Sequence, residues 1–217
     1  MLKLLLRIAA LACVCGTAYS ADLAALIKDA DGRPVPDAVV VATPTDRPLV
    51  LPERRPAVIE DQVDKEFVPY VNPILVGSQV TFPNSDNVRH HVYSFSPAKH
   101  FELPLYAGTP AKPVAFDAAG VVVIGCNIHD WMVAYLYVSE SPYFAKTGAD
   151  GAARIRNLPP GNYQVRAWHP RMDGTEDATR RSVTLTDAKA TPLEWQMRLR
   201  PEKRARRAPQ AGQRGRY

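Results

Sequence analysis

The sequence predicts an all-β chain, and three observations carry that expectation. Short stretches such as 91–96 and 163–168 alternate polar with apolar residues, the period of a half-buried strand. No stretch sustains a helical period. With 20 Pro and 12 Gly in 217 residues, long helices are disfavoured and short strands joined by turns are favoured.

Taken in order, the chain opens with Met1-Leu2-Lys3 and Arg7, runs through apolar residues to Gly16, and reaches Ala18-Tyr19-Ser20-Ala21. A charged start, a short apolar core and small residues before a cleavage point predict a secretory signal over residues 1–20, cut after Ser20, and a periplasmic protein. The apolar run is too short and interrupted for a membrane span, so no stable membrane insertion is expected. Lipid attachment at Cys13 or Cys15 would need a longer apolar segment than either has before it. Cleavage leaves Cys126 as the single thiol of the mature chain. In an oxidising compartment a lone Cys makes no internal disulfide, so it is either an inert core residue or an occupied one.

Strands are expected at 23–28 and, after the Asp31-Gly32 turn, at 35–42, where β-branched residues follow Pro. Residues 43–56, rich in Pro and charge, read as a crossover loop. The middle of the chain offers short strands at 57–60, 67–69, 74–82 (broken at Gly77-Ser78), 91–96, 101–103, 114–116, 121–124 and 133–138. The last block offers 143–147, a turn at Asp150-Gly151, 154–158, a Pro159-Pro160-Gly161 turn, 163–168, 182–185 and 193–199. Residues 201–217 carry Lys203, Arg204, Arg206, Arg207, Arg214 and Arg216 against Glu202, and predict a basic, disordered tail. That tail holds the formal net charge of +5, so the folded part is close to neutral and nothing points to nucleic-acid binding.

The chemistry concentrates in Cys126-x2-His129-x2-Met132. Thiolate, imidazole and thioether suit copper, and two His plus one Cys with a weak axial Met make an electron-transfer copper site. A tight loop between two strands brings all three side chains to one point. A second His must come from elsewhere, and the stretch from Asn84 to Val92 offers His90 and His91. Neighbours on a strand face opposite sides, so only one of them is expected at the metal. His100 and His169 lack ligand neighbours and read as surface residues. Trp131 reads as a hydrophobic docking contact or a packed lid, the exposed contact being preferred because such loops sit at the end of a sandwich. Tyr135 and Tyr137 read as ordinary sheet packing.

Residues 56–138 resemble the cupredoxins, the small blue-copper β-sandwich proteins. Val76-Gly77-x2-Val80-x-Phe82-x-Asn84 is similar to the family's strand before its first His. Asn84-x5-His90-His91-Val92 is similar to its Asn-x5-His-Asn-Val, and Cys126-x2-His129-x2-Met132 has the short spacing of amicyanin, the electron carrier of methylamine oxidation. The resemblance implies a Greek-key sandwich holding one copper ion, Cu(I)/Cu(II), on His90, Cys126, His129 and Met132. Three departures stand out. Asp130-Trp131 replaces Pro-Phe, and Gly125 stands where an aromatic residue is usual. His91 replaces the Asn that ties the two ligand loops, with Asn127 as the expected substitute.

The flanks, residues 21–50 and 139–200, resemble the carboxypeptidase regulatory-like sandwich. Asp29-Ala30-Asp31-Gly32-Arg33-Pro34-Val35-Pro36-Asp37-Ala38 is similar to its first hairpin, and Asn157-Leu158-Pro159-Pro160-Gly161-Asn162-Tyr163 to its central turn. The copper module is therefore expected as an insertion between strands of one sandwich. The functional expectation is a periplasmic copper protein that carries single electrons to or from a redox protein partner, with amine oxidation as the setting the resemblance implies. Copper delivery without a redox partner, and a non-metal binding module with Cys126 as a core thiol, are the alternatives. Catalysis is not expected, since no nucleophile–base pair, paired carboxylates or phosphate loop is present.

Overall fold

The computed structural model describes residues 20–110, 112–186 and 191–202. The expected signal, with Cys13 and Cys15, and the basic tail beyond Glu202 lie outside the described residues. Among the described residues there are seventeen strands, one 3-10 turn (Glu176–Thr179) and no α-helix.

One sandwich is assembled from both ends of the chain. Its N-terminal strands are β1 (Ala21–Lys28) and β2 (Val39–Pro44). The rest are β13 (Phe144–Lys146), β14 (Ala152–Leu158), β15 (Gly161–Trp168), β16 (Arg181–Leu185) and β17 (Thr191–Gln196). They form two sheets, ordered β14-β1-β17 and β13-β2-β15-β16. Alternation in β1 sends Ala21, Leu23, Ala25 and Ile27 inward, where they meet Val40, Leu158, Tyr163, Val165 and Trp195. The expected strand 35–42 begins only at Val39, because Asp37 takes a positive φ of 59° and breaks the extension.

The chain leaves this sandwich after β2 and returns beside its own exit, with Ala42 N–H donating to Tyr143 O at 2.8 Å. Arg47 clasps the β14–β15 turn: it donates to Pro160 O at 2.9 Å and Pro159 O at 3.1 Å, bonds Tyr163 Oη, and lies over the Tyr163 ring. Gly161 permits this approach. Its φ is +143°, and a Cβ there would lie 2.1 Å from Arg47 Nη1.

The second sandwich lies between exit and return. It contains β3 (Val58–Ile59), β4 (Asp61–Val63), β5 (Glu66–Val68), β6 (Val71–Leu75), β7 (Ser78–Thr81), β8 (His90–Ser96), β9 (Lys99–Tyr106), β10 (Val114–Phe116), β11 (Gly120–Gly125) and β12 (Val133–Ser139). A three-stranded sheet, β10-β7-β3, faces a five-stranded one, β6-β12-β11-β8-β9. Between them pack Ile74, Val80, Phe82, Val92, Phe116, Val122, Ile124 and Leu136. Strands β4 and β5 form a separate hairpin whose turn residues, Asp64 and Lys65, both have positive φ (53° and 60°), as a type I′ turn requires.

The five-stranded sheet is covered on both faces. Its inner side builds the second core, while Val71 and Tyr137 on its outer side belong to the first. Tyr135 and Tyr137 pack on Trp168 with ring centroids 6.0 and 5.3 Å apart, and Tyr137 Oη donates to Glu176 Oε1 at 2.5 Å. These tyrosines thus form the seam between the sandwiches rather than ordinary packing within one sheet.

Candidate metal centre

The loop Cys126–Met132 joins β11 to β12 and closes on itself. Cys126 N–H donates to Met132 O at 3.2 Å and Met132 N–H to His129 O at 2.9 Å, which turns Cys126, His129 and Met132 back toward the core. Gly125 enters this loop under Tyr93 of the neighbouring strand. A Cβ at 125 would sit 3.2 Å from the Tyr93 ring, so that side chain fills the space an aromatic residue at 125 would need.

The second loop, residues 84–90, is held by Asn84, which is buried. Its Nδ2 donates to Val88 O and Tyr106 O at 2.9 Å each, and its Oδ1 accepts from Asp86 N–H at 3.0 Å. This pins the start of β8 and points His90 inward, fully buried. His90 Nε2 donates to Asp86 Oδ2 at 2.7 Å, while Nδ1 is buried without any hydrogen-bond partner. His91 faces the other side of the sheet beside Tyr93, with Nε2 2.9 Å from Glu102 Oε1 but not along a hydrogen-bonding direction.

The two loops converge. The ligand atoms of His90, Cys126 and His129 all lie within 4.8 Å of one another. Cys126 Sγ is 3.8 Å from His129 Nδ1, and the two imidazole centroids are 4.9 Å apart. Met132 is fully buried in the same core cluster as Cys126. Burial, then the nearby His90 and Lys65, lower the His129 pKa, which favours the neutral, lone-pair-bearing imidazole. At Asp86 burial pushes the carboxyl up, but the Lys65 and Asp64 amides and His90 outweigh it and hold it below the ordinary range. A buried thiol, an imidazole nitrogen with no other partner and a second imidazole beside the sulfur form a donor set that fits copper.

Other expectations need correction. Asn127, the expected substitute for the tie between the ligand loops, is exposed. Trp131 is half-buried rather than an exposed contact: its indole N–H donates to Lys65 O at 3.1 Å, and its ring lies 5.2 Å from that of His129. His169 is 5% exposed, not a surface residue. Its Nδ1 accepts from Arg171 N–H at 3.1 Å, and burial, with Arg171, lowers its pKa to about 4. The sequence reading missed β4 and Asp86. The only local signal for Asp86 was its position four residues before His90.

Comparison with known proteins bears mainly on the C-terminal part. Residues 133–198 match the family model of the carboxypeptidase regulatory-like domain. The match begins within the five-stranded sheet, at β12, six residues before the expected boundary at 139. No curated protein matches the chain. Among solved structures, a Cu-containing nitrite reductase from Thermus scotoductus SA-01 is 26% identical over 45% of this chain, with a TM-score of 0.37; this chain spans 25% of that one. A point mutant of amicyanin in its oxidised state is 22% identical, covering 38% of this chain and 82% of its own, with a TM-score of 0.35. A purple cupredoxin from Nitrosopumilus maritimus is 26% identical, covering 38% and 98%, with a TM-score of 0.33. No helix among the described residues is long and apolar enough to cross a membrane.

Proposed function

We propose that the chain is a copper protein that carries single electrons. The observation behind this reading is the convergence of His90, Cys126 and His129, with His90 Nδ1 buried and otherwise unbonded. An unpaired buried polar atom costs about 1–3 kcal/mol, so a fold that keeps one beside a thiol and an imidazole has reason to. When bound, copper supplies one-electron exchange between Cu(I) and Cu(II). Cys126 would hold it through its thiolate, His90 and His129 through one nitrogen each, and Met132 through its thioether.

The burial of His90, Cys126 and Met132 excludes water and keeps the donors in place as the charge changes. His129 alone among the four is partly exposed, which makes its edge the point where a redox protein partner receives or gives the electron. The four donors leave no position for a substrate, so the site is read as a carrier and not an enzyme. We place the mature protein in the periplasm on the strength of the N-terminal signal pattern. The proposed link to methylamine oxidation rests on the resemblance of that loop to amicyanin's alone.

The test is the visible spectrum of the full chain after addition of Cu(II), beside Cys126→Ser. An intense thiolate-to-copper band, lost in the variant, and a reversible Cu(II)/Cu(I) potential are expected. A colourless chain that retains no copper would sink the reading. Bound copper without a reversible potential would replace electron transfer with metal delivery.

A further inference from the structure

The two ligand loops are far apart in sequence, and what joins them is the turn of the β4–β5 hairpin. Asp86 Oδ1 accepts from Asp64 N–H at 2.7 Å, and Oδ2 accepts from Lys65 N–H at 2.8 Å. The same Oδ2 accepts from His90 Nε2 at 2.7 Å. On the other side of the turn, Lys65 O accepts the indole N–H of Trp131 at 3.1 Å. The hairpin is fastened in turn to the segment before His90: Gln62 N–H donates to Pro83 O at 3.1 Å, Ser85 N–H to Gln62 O at 3.0 Å, and Ser85 Oγ to Asp61 Oδ2 at 2.9 Å.

We propose that Asp86 and the Asp64–Lys65 turn are positioning elements of the metal centre, which fix His90 as its Nε2–H tautomer and tie its loop through Trp131 to His129 before any metal arrives. An ionised carboxylate only accepts hydrogen bonds, so it requires the proton on Nε2 and leaves the Nδ1 lone pair facing Cys126 and His129. The positive φ at both turn residues presents two successive amides to one carboxylate. The turn's outward carbonyl then takes the indole. A carboxylate on the far nitrogen also makes the imidazole a stronger donor and favours Cu(II) over Cu(I). This last step rests on the copper reading; the tautomer and the tie do not.

The test uses the full chain with and without metal. In the metal-free protein, nitrogen NMR of the His90 ring is expected to show Nε2–H, and amide exchange at Asp64 and Lys65 to be slow. Asp86→Asn has one acceptor oxygen where three donors need places, so at least one bond is lost. The ring should then mix tautomers or switch, and Lys65 exchange should quicken about tenfold or more. A wild-type ring carrying its proton on Nδ1, or unchanged exchange in the variant, overturns the proposal whether or not copper binds.

With Cu(II) present, Asp86→Asn and Trp131→Phe should each weaken retention against a chelator by about 10–100-fold. Asp86→Asn should also raise the reduction potential and change the copper hyperfine splitting in electron paramagnetic resonance. Trp131→Phe keeps the ring and removes only the indole donor, so it decides the matter if Asp86→Asn does not fold. Wild-type retention in both variants overturns the proposal. A chain that takes up no copper defeats the copper reading alone, and the His90 ring nitrogens still decide the tie.

Discussion

The two sandwiches treat their buried polar groups differently. In the one built from the chain ends, Thr147 is 2% exposed and fully used: Oγ1 donates to Val35 O at 2.8 Å and accepts from Ala38 N–H at 2.9 Å. Ser141 donates to Ala42 O at 2.6 Å. In the inserted sandwich, Glu60 Oε1, Gln62 Oε1, Ser78 Oγ, His90 Nδ1 and both ring nitrogens of His91 are buried with no hydrogen-bond partner. Among the described residues these unpaired atoms lie only between Glu60 and His91. Local rules are broken where a fold is held for function, and completed where it is held for stability. The sandwich built from the chain ends is the frame; the inserted one carries the unpaired atoms.

The largest way to break the contrast is at the seam. Trp168→Ala removes the ring on which Tyr135 and Tyr137 pack, and should destabilise the protein by about 3–5 kcal/mol. Calorimetry should show both sandwiches affected, since the five-stranded sheet faces both cores. Two separate transitions, only one of them shifted, would mean that the sandwiches fold independently.

Glu60 sharpens the contrast through pH. Burial raises its carboxyl to about 8, against a partial offset from Asn72 and Lys146. The folded chain therefore keeps the proton while the unfolded chain has lost it. Stability contributed by this group is fully present below about pH 4.5 and is lost as pH rises to about 8, at roughly 1.4 kcal/mol per pH unit. Glu60→Gln should remove that slope. Denaturant midpoints measured across the window should leave the variant ahead of wild type by a margin that grows toward pH 8. Parallel curves would place an ionised Glu60 in the fold.

The smallest effects compare one hydroxyl from each sandwich. Thr147→Val strands a buried carbonyl and a buried amide and should cost about 1–3 kcal/mol. Ser78→Ala removes a buried hydroxyl that bonds nothing and should raise stability, by up to about 1 kcal/mol. Equal losses in urea titrations would erase the distinction between frame and site.

Legibility followed distance along the chain. Strands with clean alternation, such as 163–168, and breaks such as Gly77, whose φ is +82°, were readable because side-chain period and turn chemistry are local. The hairpin at 61–68 was readable only in its second strand, expected at 67–69; its first strand and turn were not. Asp64-Lys65 is a I′ turn without Gly, and Gln62 and Phe67 are its only buried side chains, so neither turn composition nor alternation marked it. The burial of His169 and of Tyr137 depends on a second layer of structure that no window of sequence contains.

By itself the sequence determined the all-β character and the Cys126-His129-Met132 spacing, because donors three residues apart on one short loop need no distant partner to share a point. Tertiary structure decided the rest. It brought His90, rather than His91, to within 4.8 Å of Cys126 and His129, covered both faces of β12, and linked Lys65 to Trp131 across 66 residues. Those outcomes depend on which strands pair and which faces meet. Such pairings are settled by burying two cores at once, not by any residue's local preference.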